Sequence, residues 1–183
     1  MASSNTKKIM DSQAINRSIT RLAHEILERN NGAQELMLIG ILTRGEPLAI
    51  RLQKLIKKIT KIEIPIGFVD ITFHRDDFRE RLVVPEVKGT DITFTLNDKV
   101  VVLVDDVLYS GRTVRAALNE LNSFGRASKV QLAVLVDRGH RELPIKADYV
   151  GKNFPTSPKQ SVRVKLIEVD GIDEIQVVDG EAT

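Results

Sequence analysis

The chain has no cysteine among its 183 residues. That excludes disulfides and thiolate metal sites, and it suits a reducing compartment. No apolar run approaches the length of a membrane span. The opening residues, MASSNTKK, lack the apolar centre of a secretion signal. A cytoplasmic location is expected, with no membrane partner. Repeats and low-complexity tracts are also missing. So is charge of one sign: 27 Lys and Arg stand against 25 Asp and Glu, a formal net charge of +2. Bulk charge therefore does not mark a nucleic-acid binder, and any basic surface has to be local.

What the sequence does contain is enough for a core. Hydrophobic residues make up 42% and charged residues 28%, which fits one soluble domain spanning 1–183. Residues 1–10 read as a loose end. A helix is expected over Asp11–Asn30, because Ile15, Ile19, Leu22 and Ile26 share one stripe; Asp11 or Ser12 caps it and Asn30-Asn31-Gly32 ends it. Leu36–Leu42 reads as a strand. The loop Thr43-Arg44-Gly45-Glu46-Pro47 leads to a helix reaching about Ile59. Glu63–Phe73 reads as strand, and the charged stretch Asp76–Asp91 as a long excursion. Lys99–Val104 is a strand buried on both faces, followed by a loop over Asp105–Gly111 and a helix over Arg112–Phe124. Val130–Val136 is the next buried strand. Asp137–Gln160 reads as loop, and Val162–Val169 and Ile175–Val178 as closing strands. Strands alternating with helices across 36–136 predict an α/β fold: an open, mostly parallel sheet flanked by helices. Ligands of such sheets bind beyond the carboxyl ends of the strands. The loops after Leu42, Val104 and Val136 should converge there.

The segment VVLVDDVLYSGRT, Val101–Thr113, carries the chemistry. An apolar strand delivers Asp105 and Asp106 to the end of the sheet. Gly111 allows close approach of the backbone. The first amides of the following helix form an anion site, supplemented by the hydroxyls of Ser110 and Thr113. A phosphate cradle beside two carboxylates suits a sugar 5-phosphate. The bland alternative is a capped helix with a solvated Asp-Asp pair. The Walker pattern G-x-x-x-x-G-K-[ST] and the dinucleotide pattern G-x-G-x-x-G are both absent.

This segment resembles the phosphoribosyl diphosphate (PRPP) motif of type I phosphoribosyltransferases. With LIGILTRG at 38–45, VDITFHRDD at 69–77 and QLAVLVDRGHRELPIKADYVGKNFPTS at 131–157, the chain is similar over nearly its whole length to the PyrR family. These proteins are pyrimidine-operon attenuators that are also uracil phosphoribosyltransferases. The resemblance implies a type I phosphoribosyltransferase fold with a small hood over about 137–183 and a flexible flap over about 74–92. It implies the reaction of uracil with PRPP to give UMP and diphosphate, with Mg²⁺ as cofactor.

Roles follow at matching positions. Asp105 and Asp106 would hold the ribose hydroxyls of PRPP, and Mg²⁺ mainly through PRPP and water. Tyr109, Ser110, Gly111, Arg112 and Thr113 would hold the 5′-phosphate, and Val107 and Leu108 would also lie in the PRPP and nucleotide site. Thr43-Arg44-Gly45 would be the pyrophosphate loop, with Arg44 catalytic beside the two acids. Gly45 is expected to permit a strained backbone. Arg138 and Val162 would lie at the nucleotide site, where UMP or UTP also binds. Asp137 is a weak candidate for a general base. Arg75, Arg79, Arg81 and Lys88 would belong to the flap, with His74 at its root in place of the more usual Tyr. An acid often stands at the Tyr109 position in purine enzymes of this type, so Tyr109 favours a pyrimidine base.

On the first helix Arg17, Thr20, Arg21 and His24 fall opposite the apolar stripe. Alone, that pattern is a solvated face. The resemblance implies that Thr20, Arg21, His24, Thr43, His140, Arg141, Lys146 and Lys152 bind a hairpin in the operon leader RNA. Lys146 stands where the family commonly has Arg, so charge is kept and bidentate geometry lost. The family also implies homodimers that assemble into tetramers or hexamers. Uracil salvage without RNA regulation remains an open alternative, as does a purine transferase.

Overall fold

The computed structural model describes residues 6–71 and 89–180. The chain runs through β1 (Thr6–Asp11), α1 (Ser12–Arg29), β2 (Leu36–Ile41), α2 (Gly45–Thr60), β3 (Ile66–Val69) and β4 (Val100–Leu108). It continues through α3 (Arg112–Leu121), β5 (Lys129–Asp137), β6 (Tyr149–Asn153), β7 (Gln160–Lys165), α4 (Ile167–Asp170) and β8 (Glu174–Asp179). A parallel five-stranded sheet has the order β3-β2-β4-β5-β6. A separate antiparallel sheet has the order β1-β8-β7.

The apolar runs of the parallel sheet serve two cores. Side chains alternate across a strand. Leu36, Leu38, Val102, Val104, Ala133 and Leu135 meet α1 and α2 on one face. Met37, Ile39, Val101, Leu103, Leu132 and Val134 meet α3 on the other. An unbroken apolar strand is what burial on both faces requires. Gln131 is a polar exception within β5, 2% exposed. Its amide is matched by Asn30 and Tyr149, so its burial leaves no orphan.

Helix α1 starts where Asp11 accepts a hydrogen bond from the Ala14 amide at 2.8 Å. Its predicted stripe is buried, with Ala23 and Leu27 added. Helix α2 begins at Gly45, and its first turn presses on the sheet backbone. A Cβ at Gly45 would lie 2.3 Å from the Val104 carbonyl oxygen; one at Gly40 would lie 2.6 Å from that of Gly45. Gly45 is absent from the positive-φ glycines. Its need is therefore space, not the backbone strain expected above.

Several expectations are corrected. Residues 6–11 are not loose: β1 pairs with β8, a long-range contact that a local reading does not reveal. Strand β3 is shorter than Glu63–Phe73. Strand β4 does not stop at Val104 but continues through Asp105-Asp106 to Leu108, paired with β5. Residues 137–160 are not all loop: β6 adds to the sheet edge beside β5. The expected strand over Val162–Val169 ends at Lys165 and turns into α4. The flap falls almost wholly outside the described residues, including His74, Arg75, Arg79, Arg81 and Lys88. Of its expected span, Asp91 is bridged to Phe68 of β3.

The segment from α4 to β8 is tied to α2 by charge. Arg51 donates to both oxygens of Glu168 and to both of Asp173, at 2.6 to 2.9 Å. The Arg51 side chain is 15% exposed and that of Asp173 9%. The Arg51 hydrogen bonds hold Glu168 below its ordinary range. Burial opposes ionisation of Asp173, but Arg51 and the Ile167 amide outweigh it and hold this carboxyl low as well. Carboxyls with depressed folded values stabilise the fold above their unfolded values, and that contribution is lost as pH falls through the folded ones.

Two outcomes are expected. Arg51→Met leaves Asp173 buried without its partner and should cost about 3 kcal/mol at pH 7. The deficit in urea unfolding should shrink below the ordinary carboxylate range, and a pH-independent deficit would refute the ionic origin. Gly45→Ala should cost about 1–3 kcal/mol by overpacking, measured as a lowered urea midpoint with unchanged slope.

Candidate functional site

Strand order places a switch point at the centre of the sheet. From β2 the chain crosses to β3 on one side, while β4 lies on the other. Such a reversal opens a crevice at the carboxyl ends of the strands. Unequal strand length deepens it. The pairing of β2 with β4 ends at Gly40 and Val104, whereas β4 stays paired with β5 as far as Leu108 and Asp137. Beyond Val104, one side of β4 therefore faces the loop into which β2 turns. Asp105 and Asp106 stand at that step, with Thr43-Arg44-Gly45 across from them. The Leu42–Thr43 peptide bond in this loop is cis.

Asp105 is 6% exposed, and Asp106 is half-buried. The Asp105 carboxylate accepts from the Asp106 amide at 2.9 Å, and that of Asp106 from the Val107 amide at 2.9 Å. Burial raises Asp106 above the ordinary carboxylate range. Its hydrogen bond with Asp105 and the charge of Arg44 pull the other way. Arg44 thus acts electrostatically on the acid pair across the step. Its guanidinium is also gripped by Asp170, through Nε at 3.3 Å and Nη2 at 2.8 Å.

Gly111 begins α3 with φ +94°, in the left-handed region that glycine enters without strain. No side chain of Gly111 caps the helix; the Arg112 amide meets Ser110 Oγ at 3.4 Å, and a helix start of this kind suits an anion. Ile145 and Leu143 would stand 3.3–3.4 Å from a Cβ there. The Ser110 carbonyl accepts from the amides of Glu142 and Leu143, and Arg112 pairs with Glu142 at 2.7 Å. The segment after β5 therefore lies over this loop.

Tyr109 is held between two residues of that segment. The Arg138 guanidinium lies 4.1 Å from the ring centroid, and His140 meets the ring edge-on at 6.3 Å. Arg138 is 4% exposed and donates to Thr156 Oγ1 and the Gln160 carbonyl. Burial lowers its value, although a guanidinium remains charged. His140 takes φ +60° and its Nε2 meets the Thr156 carbonyl at 2.6 Å. Val162 is half-buried on β7 and packs against the core shared with α1 and α2. Asp137 accepts from Gly139 and from Arg141, which occupies the carboxylate proposed as a base.

The expected RNA residues divide into two groups. Thr20, Arg21 and His24 are exposed along α1. Arg21 donates to Glu25 and to the carbonyls of Val150 and Gly151, docking α1 on β6. Lys152 follows on β6 and joins Arg17, Ser18 and Arg21 around an open groove of about 320 Å³, floored by Ile9, Met10 and Ala14. Thr43, His140 and Arg141 lie in the loops over the crevice, and Lys146 is exposed beside them. Arg141 donates to Tyr109, Gly139, Ile145 and Asp137. It braces the crevice from inside. Asp170 and Arg51 are not visible as site residues in the sequence, because their partners lie more than a hundred residues along the chain. Only the seven-residue spacing of Arg44 and Arg51, two helical turns, hints that one face of α2 is basic.

The acid pair offers hard oxygen ligands, and no group of three or more His, Cys, Asp or Glu is placed to hold a metal among the described residues. Two carboxylates without a cage suit Mg²⁺ arriving with a phosphorylated substrate, since that ion keeps waters and phosphate oxygens. No described helix is long and apolar enough to cross a membrane.

Residues 5–167 match the phosphoribosyl transferase domain. The chain is 55% identical over 170 residues to the Bifunctional protein PyrR of Clostridioides difficile, covering 93% of this chain and 96% of that one. It is 54% identical over 173 residues to that of Deinococcus radiodurans, covering 94% of each. Among solved structures, the hypoxanthine phosphoribosyltransferase of Trypanosoma cruzi superposes with a TM-score of 0.73 at 18% identity, covering 96% of each chain. A hypoxanthine phosphoribosyltransferase from Staphylococcus aureus gives 0.66 at 19%, covering 92% and 90%. At such identities the structures speak for the fold alone, while the sequence relatives locate the branch. With the family model matched over residues 5–167 and relatives at 54–55% identity over more than nine tenths of the chain, the chain belongs to the phosphoribosyltransferase domain family and, within it, to the PyrR proteins.

Proposed function

We infer that the protein transfers the phosphoribosyl group of PRPP to uracil, giving UMP and diphosphate, and binds pyrimidine-operon leader RNA in response to uridine nucleotides. The observation that carries the catalytic half is the step in the sheet. It sets two carboxylates between a helix N-terminus and an arginine loop. The 5′-phosphate sits on the amides of α3 with Ser110 and Thr113. The ribose hydroxyls donate to Asp105 and Asp106. Their negative charge faces a ribosyl centre that becomes cationic as the glycosidic bond to diphosphate breaks. Arg44 meets the charge developing on the departing diphosphate. Mg²⁺ carried by PRPP supplies further neutralisation of that leaving group. Uracil attacks through N1 under the segment that Arg138 and Arg141 hold in place, and its N1 proton passes to the departing diphosphate or to solvent. With Asp137 engaged by Arg141, positioning carries the step without a dedicated base.

The regulatory half rests on the α1–β6 groove. Arg17, Arg21 and Lys152 surround an apolar floor there, a mixture suited to phosphates and unpaired bases. Nucleotide in the crevice favours RNA binding if the RNA-competent state holds nucleotide more tightly.

Asp106→Ala should lower UMP synthesis on the order of 100-fold or more; steady-state turnover near the parent's would remove the acid pair from the site. Lys152→Glu should leave UMP synthesis unchanged, weaken binding of the leader hairpin in gel shifts with UMP, and reduce the salt slope of binding by about one. Parental RNA affinity in that variant would exclude the groove. Arg141→Gln should impair both activities, because its four acceptors brace the nucleotide pocket.

A further inference from the structure

Arg44 has two faces toward charge. One edge, Nε and Nη2, is taken by the carboxylate of Asp170 in a side-on pair at 3.3 and 2.8 Å. No hydrogen-bond partner meets Nη1 among the described residues. The Arg44 side chain is 34% exposed and that of Asp170 21%. Asp170 does not depend on Arg44 for its own place. Its Oδ2 also accepts from the Leu166 amide at 2.9 Å, closing the turn of α4 on itself. That turn is fastened to α2 by Arg51 through Glu168 and Asp173, one on each side of Asp170. A carboxylate held by its own backbone and clamped on both flanks is a fixed point. A long side chain gripped by a fixed point loses rotamers before any ligand arrives.

We propose that Asp170 is a positioning residue for diphosphate. It holds one edge of the Arg44 guanidinium and so presents the opposite edge to the leaving group of PRPP. This rests on the reading of Arg44 as the diphosphate group. Arginine suits the task because its planar fork can serve two anions on different edges at once.

The test compares the parent, Asp170→Ala, Asp170→Asn, Arg44→Ala and the Arg44→Ala/Asp170→Ala double variant. The readouts are KM for PRPP in UMP synthesis, KM for diphosphate in the reverse reaction, kcat, and UMP affinity by calorimetry. UMP lacks diphosphate and serves as the internal control. Asp170→Ala should raise both KM values and lower kcat, each about tenfold, with UMP affinity little changed. The double variant should match Arg44→Ala alone, because Asp170 acts only through Arg44. Asp170→Asn keeps an oxygen for the Leu166 amide and should show the same direction of change, which separates positioning from collapse of α4. A lower KM in the Asp170 variants would mean that the carboxylate competes with diphosphate, and would overturn the proposal. So would a further loss in the double variant, or an equal loss of UMP affinity. If Arg44→Ala itself leaves both KM values unchanged, the assignment of the loop fails first.

Discussion

Two positions without a Cβ set the geometry from which the crevice follows. Gly45 leaves α2 free to press its first turn against the Val104 carbonyl, and Gly40 leaves room for the carbonyl of Gly45. Thr43 and Arg44 immediately precede this contact, and Asp105 immediately follows it. The separation between the arginine loop and the carboxylates is therefore set by main chain against main chain. Backbone packed in this way has no rotamers with which to adjust. Groups meant to meet one substrate at two points gain from such rigidity, because misplacement of about 1 Å is costly to catalysis.

The outer parts of the site are held by different forces. The α4 segment meets α2 through Arg44 and Arg51 on one side and Glu168, Asp170 and Asp173 on the other. Tyr109 is held by a buried guanidinium and an imidazole, not by apolar packing alone. Ionic and cation–π contacts tie these elements together beside the apolar core that Leu166 and Ile175 share with α2. They also respond to charge. A ligand bearing phosphates enters a crevice whose walls are already organised by paired charges. The same segment, through β8, reaches β1, and β1 carries Ile9 and Met10 to the floor of the α1 groove. The loop Thr43–Gly45 and the proposed RNA groove thus belong to one contiguous set of elements, joined through α4 and the antiparallel sheet.

Arg141 shows how a basic residue changes meaning once its neighbours are known. By composition it belongs with His140 and Lys146 in a cationic stretch. In the fold its donors go to Tyr109, Gly139, Ile145 and Asp137, so its charge is spent inside. Arg17 moves the other way. A helical wheel leaves it on a solvated face, and the fold gives it Lys152 as a neighbour across the groove.

Residues 36–60 and 99–136 were legible because their signals are local. Apolar runs mark strands buried on both faces, a 3.6-residue stripe marks α2, and Asp-Asp followed by Ser-Gly-Arg-Thr marks the passage from a core strand to a helix start. The reaction class could be read from the same segments, since a substrate's phosphates and hydroxyls constrain neighbouring residues in fixed order, and the PyrR branch from the longer stretch 131–157. What tertiary structure alone decided depends on partners far along the chain. These are the pairing of β1 with β8, the addition of β6, the run of β4 past the end of β2, and the grip of Asp170 on Arg44 across 126 residues. No periodicity encodes such contacts, because they arise from the path of the chain and not from any local preference of the residues that make them.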